Sequence, residues 1–264
     1  GEELQIMEHC CEGEFAVLAT SIDKMVQRML EQQSILQKEK VFLADSMADI
    51  SHQMKTPLTS ISLLLNLLQE EHLSEKKRLQ YVQDLMKLTG RIDWMVYALL
   101  RLAKLDAGTV QLQQVPYQIE DLIKAAVTPL EIALDIRDIT LEVQTQPDLQ
   151  HRGDISWMTE AVSNILKNCM EHTPAGGYIR IVTKDNPLYL LIKITDSGSG
   201  FTKQDLPHIF ERFYRGQNAD TDSVGIGLAL AKRIIIAQNG TIRAYNHKKD
   251  GGAVFEIRMY KGAV

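Results

Sequence analysis

An apolar residue recurs every seven positions from Phe15 to Leu64, and this repeat limits the possible folds more than any other feature. The repeat comprises Phe15, Ile22, Met29, Leu36, Leu43, Ile50 and Leu64, with Pro57 as its interruption. Met47, Met54, Ile61 and Leu68 form a second apolar series. Such heptads are typical of a coiled coil. We therefore expect a helix from about Glu14 to Gln69, interrupted near Gly13 and bent at Pro57, after a frayed start.

His52 lies on this helix, and it falls at the position farthest from the buried seam if Ile50 and Met54 occupy that seam. An isolated histidine there is usually a solvated surface residue. The alternative is an outward-facing nucleophile, because a neutral imidazole can attack through one nitrogen while the other is oriented by a hydrogen bond. Pro57 removes a backbone donor and would loosen the helix just past the histidine.

A second amphipathic helix is predicted from Ser74, as N-cap, to about Asp106, with Gly108 ending it. Two such helices joined by a short loop form a hairpin with one buried face, which is not a stable domain alone. Pairing two hairpins about a twofold axis makes a four-helix bundle, so we predict a homodimer. The alternative is that the hairpin packs on the rest of its own chain.

The pattern changes after Gly108, where short alternating strands and interposed helices follow one another. The predicted strands are 110–115, 139–143, 178–184, 189–195, 241–246 and 253–260, and the predicted helices are 118–135, 154–172 and 225–238. This order is typical of an α+β sandwich with helices on one face of the sheet. The predicted domains are 1–44, a long helix, 45–107, the hairpin, 108–117, a linker, and 118–264, the sandwich.

Composition excludes several classes of protein. A net charge of −5 with only short basic runs argues against a nucleic-acid binder. Three cysteines, Cys10, Cys11 and Cys169, lack the spacing of a disulfide framework or zinc site. No apolar run approaches the ~20 residues that span a bilayer. Because the chain begins at Gly1 without a methionine, we expect a soluble interior piece of a longer protein.

Three groups of polar and glycine residues in the second half are candidates for chemistry. Asn164, Asn168 and His172 stack at four-residue steps beside a predicted core stripe, Met158, Val162, Ile165 and Cys169. Amide oxygens in this pattern can coordinate Mg²⁺ and an imidazole can contact phosphate, although a merely polar face is equally consistent. Asp196-Ser-Gly198-Ser-Gly200 follows a strand, where a carboxylate can accept from an exocyclic amine; a simple turn is the alternative.

The third group is Gly225-Ile-Gly227-Leu228, which opens a helix whose N-terminal N–H groups and dipole can meet phosphate. It lacks the last glycine and the βαβ context of a dinucleotide-binding fingerprint. A polar run from Tyr214 to Val224 precedes it and has the composition of a lid over bound nucleotide.

In order and spacing, these segments resemble the boxes of bacterial sensor histidine kinases with a GHKL-type ATP-binding domain. His52 to Leu58 looks like the H box, Asn164 to Asn168 the N box, Asp196 to Gly200 the G1 box, Phe210 to Phe213 the F box and Gly225 to Leu230 the G2 box. The resemblance implies a protein-histidine kinase that uses ATP and Mg²⁺, autophosphorylates His52 and passes the phosphoryl group to an aspartate of a response regulator. It also implies a homodimer attached to a bacterial inner membrane through a segment missing from this sequence.

The resemblance also implies roles for individual residues. Asp196 would read the adenine amine, Asn168 with Asn164 would hold Mg²⁺, and His172 and Arg215 would contact nucleotide. The other ATP-binding positions implied by the boxes are Gly198, Gly200, Phe213, Gly225, Gly227 and Leu228. Thr56 matches the position that orients water when relatives dephosphorylate their partner; the alternative is a residue before proline that favours extended backbone.

Two positions depart from the family's pattern. Gln53 replaces the acidic residue thought to accept the imidazole proton, and an amide cannot act as that base. Ala229 replaces a third glycine. Gln53 motivates one rival hypothesis, a degenerate kinase that serves as a phosphatase or dimeric scaffold. A second rival is a GHKL-type ATPase without phosphotransfer, against which the phospho-acceptor box at His52 argues.

Overall fold

The computed structural model describes residues 2–70, 73–216, 224–247 and 251–261. The chain divides into two compact units, Gly1–Thr56 and Pro57–Val264. Helix α1 spans Glu2–Leu68, so the first unit consists of the part of this helix that ends at Thr56.

The long helix predicted from the heptads is present, but two details of that prediction are wrong. Helix α1 begins at Glu2, so the start of the chain is helical where a frayed segment was expected. It also continues through Gly13 and Pro57 without a break. Pro57 is buried, and burial of its ring offsets part of the cost of a proline in a helix interior. A bend at Pro57 stays a prediction.

Helix α2 spans Glu75–Asp106, close to the predicted bounds. Ser74 is its N-cap residue, with extended backbone but no hydrogen bond from its side chain to the helix. At the other end, the N–H of Gly108 donates to the carbonyl of Leu105 and the N–H of Thr109 to that of Lys104, each at 3.2 Å. This pair of bonds is a Schellman motif, which satisfies carbonyls that the helix end would otherwise leave without donors.

The second unit contains a five-stranded mixed sheet in the order β2-β4-β5-β7-β6. Its strands are β2 Thr140–Gln144, β4 Tyr178–Asp185, β5 Tyr189–Asp196, β6 Gly240–Asn246 and β7 Ala253–Tyr260. β2 pairs with β4 in parallel, and all other neighbours are antiparallel. Each of these five strands lies within a residue or so of its predicted position.

A separate two-stranded sheet pairs β1, Val115–Gln118, with β3, Gln150–Gly153. The predicted strand at 110–115 is therefore displaced, because only its last residue enters β1. β3 was not predicted, since Gln-His-Arg-Gly lacks apolar alternation. The helix expected over 118–135 is three pieces: α3 Ile119–Val127, a 3-10 turn at Thr128–Leu130, and α4 Glu131–Ile136. Pro129 lies in the turn and cannot donate the backbone bond of a continuing α-helix.

Helix α5, Ile155–His172, and helix α6, Gly227–Ala237, pack on the five-stranded sheet, and α3 packs on α5 and β1. Along β4 and β5 alternate side chains are buried, as expected for a sheet with one covered face. The core includes Ile181, Ile192 and Ile165, all with no exposed surface. The predicted α+β sandwich with helices on one side is confirmed.

Asp154 connects the start of α5 to two distant segments. Its Oδ1 accepts from the N–H groups of Ser156 and Trp157 at 3.1 and 3.3 Å, as an N-cap does. Its Oδ2 accepts from the backbone of Gln113 at 3.2 Å, in the segment that leads from α2 into the sandwich. The backbone N–H of Asp154 donates to Oε1 of Gln238, and the backbone carbonyl of Asp154 accepts from Nε2 of the same side chain. Gln238 is buried and lies just past α6.

The last three turns of α2 pack on the sandwich within the second unit. Met95, Ala98, Leu102 and Leu105 form the buried stripe. Polar contacts flank it: the guanidinium of Arg101 lies 4.0 Å from the ring centroid of Trp157 and 3.3 Å from a carboxylate oxygen of Glu160. The carboxylate of Asp106 pairs with Arg233 at 2.7 Å and with Arg212. The last turns of α2 thus pack on the rest of the same chain, which is what the alternative to a homodimer predicted.

Candidate functional site

A cavity of about 460 Å³ opens in the second unit between α5, α6, the end of β5 and α2. Nine of the predicted nucleotide-binding residues line it: Asn164, Asn168, His172, Asp196, Gly200, Arg215, Gly225, Gly227 and Leu228. The structure therefore brings together side chains from all three candidate groups. A volume in this range suits a ligand the size of a nucleotide.

Asp196, the last residue of β5, has only 1% of its surface exposed. One carboxylate oxygen, Oδ1, accepts from the N–H of Gly198 at 2.9 Å and from the N–H of Ala253 at 3.0 Å. These two bonds hold the carboxylate in one orientation at the wall of the cavity. Burial raises the pKa of the adjacent Cys169 thiol well above its ordinary value, and Asp196, to which the thiol hydrogen-bonds, raises it further.

Gly198 does not line the cavity, and its role in the structure is to let two backbones approach. A Cβ at this position would lie 2.4 Å from the carbonyl oxygen of His172 and 3.0 Å from Oδ1 of Asp196. Any side chain would therefore push the turn after β5 away from the end of α5. A nucleotide-binding role for Gly198 stays a prediction, and the steric role is the one that these distances support.

The polar face of α5 points into the cavity as the four-residue spacing predicts. Asn164 is buried and Asn168 and His172 are half-buried, whereas Val162 and Ile165 belong to the core. The start of α6 lies over this face, since a Cβ on Gly227 would be 3.5 Å from the side-chain oxygen of Asn164. The amide oxygens of α5 and the positive end of the α6 dipole therefore line the same cavity.

The polar run 214–224 is joined at its base by backbone contacts. Phe213 has φ +61° and donates from its N–H to the carbonyl of Gly225 at 2.9 Å. Gly225 has φ +74°, and a Cβ there would lie 2.5 Å from the carbonyl oxygen of Tyr214. Phe213 is not among the described residues that line the cavity, and its backbone bond joins it to Gly225. Residues 217–223 of the predicted lid lie outside the described residues.

Asp205 and Tyr214 also line the cavity and were missed by the sequence analysis. The hydroxyl of Tyr214 donates to Oδ1 of the buried Asp205 at 2.7 Å, and this bond raises the pKa of Tyr214. Asp205 lies in the turns after the G1-like motif, where no regular spacing marks it in the sequence.

Helix α2 supplies the remaining wall, through Lys87, Leu88, Arg91 and Trp94. These positions continue the stripe that packs on the sandwich further along the helix. Packing of the hairpin on its own chain was an open alternative, but no residue of α2 was predicted to line the site. The sequence does contain a signal for this wall, because the cations Lys87 and Arg91, four residues apart, interrupt an otherwise apolar stripe of α2.

His52, Gln53 and Thr56 lie on α1 in the first unit. His52 is exposed, as its heptad position predicts, and Gln53 is half-buried. The hydroxyl of Thr56 donates to the carbonyl oxygen of His52 at 3.3 Å, one turn earlier. Thr56 is helical, so the alternative of an extended residue before Pro57 is wrong.

The cavity offers oxygen ligands that a divalent cation could use. Within the described ranges, no three His, Cys, Asp or Glu side chains come together as a metal-binding cluster. Mg²⁺ usually keeps several waters and binds through a few protein oxygens together with substrate phosphates. The amide oxygens of Asn164 and Asn168, one turn apart in the cavity, fit that kind of partial coordination.

Among the residues that the structure describes, no helix combines the length and apolar character needed to cross a membrane.

Two family models match the chain. Residues 43–108 match the "His Kinase A (phospho-acceptor) domain", and residues 153–262 match the "Histidine kinase-, DNA gyrase B-, and HSP90-like ATPase". His52 lies in the first match, and the residues of α5, β5 and α6 that line the cavity lie in the second.

Similar proteins and structures agree with these matches. The sensor protein SphS of Synechococcus elongatus is 30% identical over 222 residues, which are 80% of this chain and 53% of that protein. The heme sensor protein HssS of Staphylococcus saprophyticus is 30% identical over 213 residues, 81% of this chain and 45% of that protein. The chain thus spans about half the length of the curated relatives it matches.

Solved structures show the same fold. The Acinetobacter baumannii histidine kinase AdeS has a TM-score of 0.65 at 19% identity, covering 80% of this chain and 98% of that one. Histidine kinase ThkA, solved in complex with the response regulator protein TrrA, has a TM-score of 0.69 at 19% identity, covering 85% and 64%. From its two matched domains, its relatives and its fold, the chain belongs to the sensor histidine kinase family.

Proposed function

We propose that this chain is a protein-histidine kinase that autophosphorylates His52 with ATP and then transfers the phosphoryl group to an aspartate of a response-regulator receiver domain. The observation that carries the proposal is the cavity in which Asp196, the asparagines of α5 and the start of α6 meet. The exposed imidazole of His52, within the phosphoacceptor match, supplies the second requirement.

In the proposed complex, Asp196 accepts from the exocyclic amine of adenine. Besides the two backbone bonds of Oδ1 and the bond from the Cys169 thiol, the carboxylate keeps lone pairs that can accept from the ligand. The phosphates lie toward the start of α6, where N–H groups without helical partners and the helix dipole favour anions. His172 and Arg215 line the same cavity and contribute nitrogen donors for nucleotide.

Asn164 and Asn168 would hold Mg²⁺, through their amide oxygens. When bound, this ion would neutralise part of the triphosphate charge and align the phosphates. Glycines at Gly200 and Gly227 keep the nearby backbone close to the ligand.

The transfer step is an in-line displacement. A ring nitrogen of His52 attacks the γ-phosphorus, the nitrogen–phosphorus bond forms, and the bond from that phosphorus to the bridging oxygen breaks, so that ADP leaves. The ring proton passes to water, because the amide of Gln53 cannot accept it. Autophosphorylation is therefore expected to be slower than with an acidic residue at position 53.

We further propose that the chain works as a homodimer. Leu63, Leu79 and Met86 of the hairpin expose 59%, 60% and 71% of their surfaces, which a second hairpin would cover in a four-helix bundle. In the proposed division of the chain, residues 1–44 form a signalling helix, 45–107 the dimerising hairpin, 108–117 a linker and 118–264 the catalytic domain. Attachment to a bacterial inner membrane through a preceding segment is part of the same proposal.

The test is autophosphorylation of the purified chain with Mg²⁺ and ATP labelled on the γ-phosphate. We expect an acid-labile, base-stable phosphate that His52→Ala abolishes and that a receiver domain removes. A chain that gains no such label, or that keeps it in His52→Ala, would contradict the proposal.

Gln53 favours one rival, a phosphatase or scaffold that no longer phosphorylates itself. Thr56 lies one turn from His52 and could position water on a phosphorylated regulator. ATP binding without labelling, together with Thr56-dependent release of phosphate from a regulator, would support this rival. The variant Gln53→Glu separates the two, since a slow kinase should be accelerated by the added base.

A further inference from the structure

Helix α2 packs beside the proposed nucleotide site in an orientation that the contacts define. Near its C-terminal end, Arg101 and Tyr97 contact Glu160 in the second turn of α5. Earlier along α2, Lys87 and Arg91 line the cavity together with residues from the last three turns of α5. The two helices therefore run in opposite directions, and at 1.5 Å per residue Arg91 lies about 15 Å from the level of Arg101. The same distance measured along α5 from Glu160 passes the level of Asn168, which is eight residues further on.

The charge of the cavity changes sign when α2 is included. The described lining residues of the sandwich carry two fixed cations and three carboxylates, a net charge of −1: Lys167, Arg215, Glu171, Asp196 and Asp205. Lys87 and Arg91 add two positive charges, which makes the lining +1. A polyphosphate requires cationic surroundings, and arginine in particular binds phosphate through paired N–H groups.

We propose that Arg91 and Lys87 of α2 bind phosphate groups of the nucleotide held in this cavity, so that bound nucleotide fastens α2 to the catalytic domain. This inference rests on the proposed function, because it takes the cavity to be the ATP site. Arg91 is half-buried and makes the stronger contact, and Lys87, which is exposed, makes the weaker one.

Since both cations belong to α2, the binding of nucleotide and the packing of α2 on the sandwich are linked. A movement of α2 away from the sandwich removes two phosphate ligands and weakens nucleotide binding. By reciprocity, nucleotide stabilises the packed position by the same factor. The polar contacts of Asp106 and Arg101 hold the other end of the same interface.

The test compares ATP with adenosine in the full chain. Calorimetry measures the dissociation constant of Mg-ATP, and ligand-observed NMR measures that of adenosine. We expect ATP to bind about tenfold more weakly to Arg91→Ala and about threefold more weakly to Lys87→Ala, as for charge-assisted bonds with partial exposure. Adenosine, which has no phosphate, should bind all these variants as it binds the wild type. Arg91→Lys should recover part of the ATP affinity because it keeps the charge.

The matched control is Lys76→Ala with Lys77→Ala, which removes two charges from exposed positions at the start of the same helix. This variant should bind ATP within about twofold of the wild type, because screening weakens distant exposed charges. ATP affinity unchanged in the Arg91 and Lys87 double variant would overturn the inference, and so would an equal loss for adenosine. A wild-type chain that binds neither ligand would instead contradict the proposed function.

Discussion

Replacing Asp196 by asparagine tests the proposed recognition of adenine, because in the proposed complex the two oxygens of this carboxylate have different partners. Oδ1 accepts from the N–H groups of Gly198 and Ala253, and the amide oxygen of asparagine can take over both bonds. The amide NH₂ then replaces the second oxygen. A donor would face the exocyclic amine of adenine, which is itself a donor.

The size of the effect follows from the bond that is lost. A hydrogen bond to a charged acceptor contributes about 1.5–3 kcal/mol, and its removal in a site that is 1% exposed leaves the amine without a partner. Since about 1.4 kcal/mol is a factor of ten, Asp196→Asn should weaken ATP binding roughly 10- to 150-fold. The free energy of unfolding should change by less than about 1 kcal/mol, because both backbone bonds persist.

Asp196→Ala removes the backbone bonds as well. Two buried N–H groups would lose their acceptor, which costs about 1–3 kcal/mol for each group that water does not reach. We therefore expect Asp196→Ala to lower the free energy of unfolding by about 2–6 kcal/mol in addition to abolishing detectable ATP binding. Only this second variant should unfold at a lower urea concentration.

The assay pairs calorimetric titration of Mg-ATP with urea unfolding on wild type and both variants. Asp185→Asn is the matched control, since it removes the same charge from an exposed carboxylate that bonds only Lys261, 2.7 Å away, among the contacts described. It should leave ATP affinity unaltered. If Asp196→Asn bound ATP as tightly as the wild type, the assignment of Asp196 to adenine would be wrong.

Three further predictions concern the interface, the loop base and the buried thiol. Asp106→Asn should lower the free energy of unfolding by about 1 kcal/mol, as for a partly exposed ion-pair network. A double-mutant cycle with Arg233→Gln, measured by urea unfolding, should show a coupling energy between the two residues. Purely additive losses would contradict the pairing. Gly225→Ala should destabilise the fold by about 2–4 kcal/mol and weaken ATP binding. Gly176→Ala, at a similar φ of +76° but with open space around its Cβ, should lower the free energy of unfolding by only about 1 kcal/mol. Equal losses of the two variants in thermal unfolding would refute the steric argument. Because the pKa of Cys169 is raised in the folded state, its contribution to stability is present below the unfolded pKa of about 8.5 and is lost as the pH rises above it. In urea titrations above that pH, the free energy of unfolding of the wild type should therefore fall by about 1.4 kcal/mol per pH unit more than that of Cys169→Ala. Parallel pH curves for the two proteins would exclude the effect.

The parts of the site that sequence reasoning could predict are those set by local periodicity. Asn164 and Asn168 share a helix face because they are four residues apart, and Asp196 ends a strand whose alternation is regular. These relations need no knowledge of the tertiary structure. The sheet strands were placed for the same reason, since their apolar side chains alternate.

The parts that could not be predicted depend on contacts between distant segments. Strand β3 has no apolar alternation and exists because β1 supplies its partner. Arg91 has the sequence environment of any exposed helix cation, and only the packing of α2 on the sandwich brings it to the cavity. Asp205 lies in irregular backbone, where spacing predicts no neighbour, and its bond to Tyr214 spans nine residues.

The carboxylate of Asp154 has a mechanical consequence. One of its oxygens holds the backbone of Gln113, which leads in from α2, and the other holds the first turn of α5. An α-helix is stiff along its axis, so a pull on Gln113 is transmitted to Asn164 and Asn168, roughly 15–20 Å along α5. Strain that enters through the hairpin therefore has a rigid path along α5 to the amides of Asn164 and Asn168.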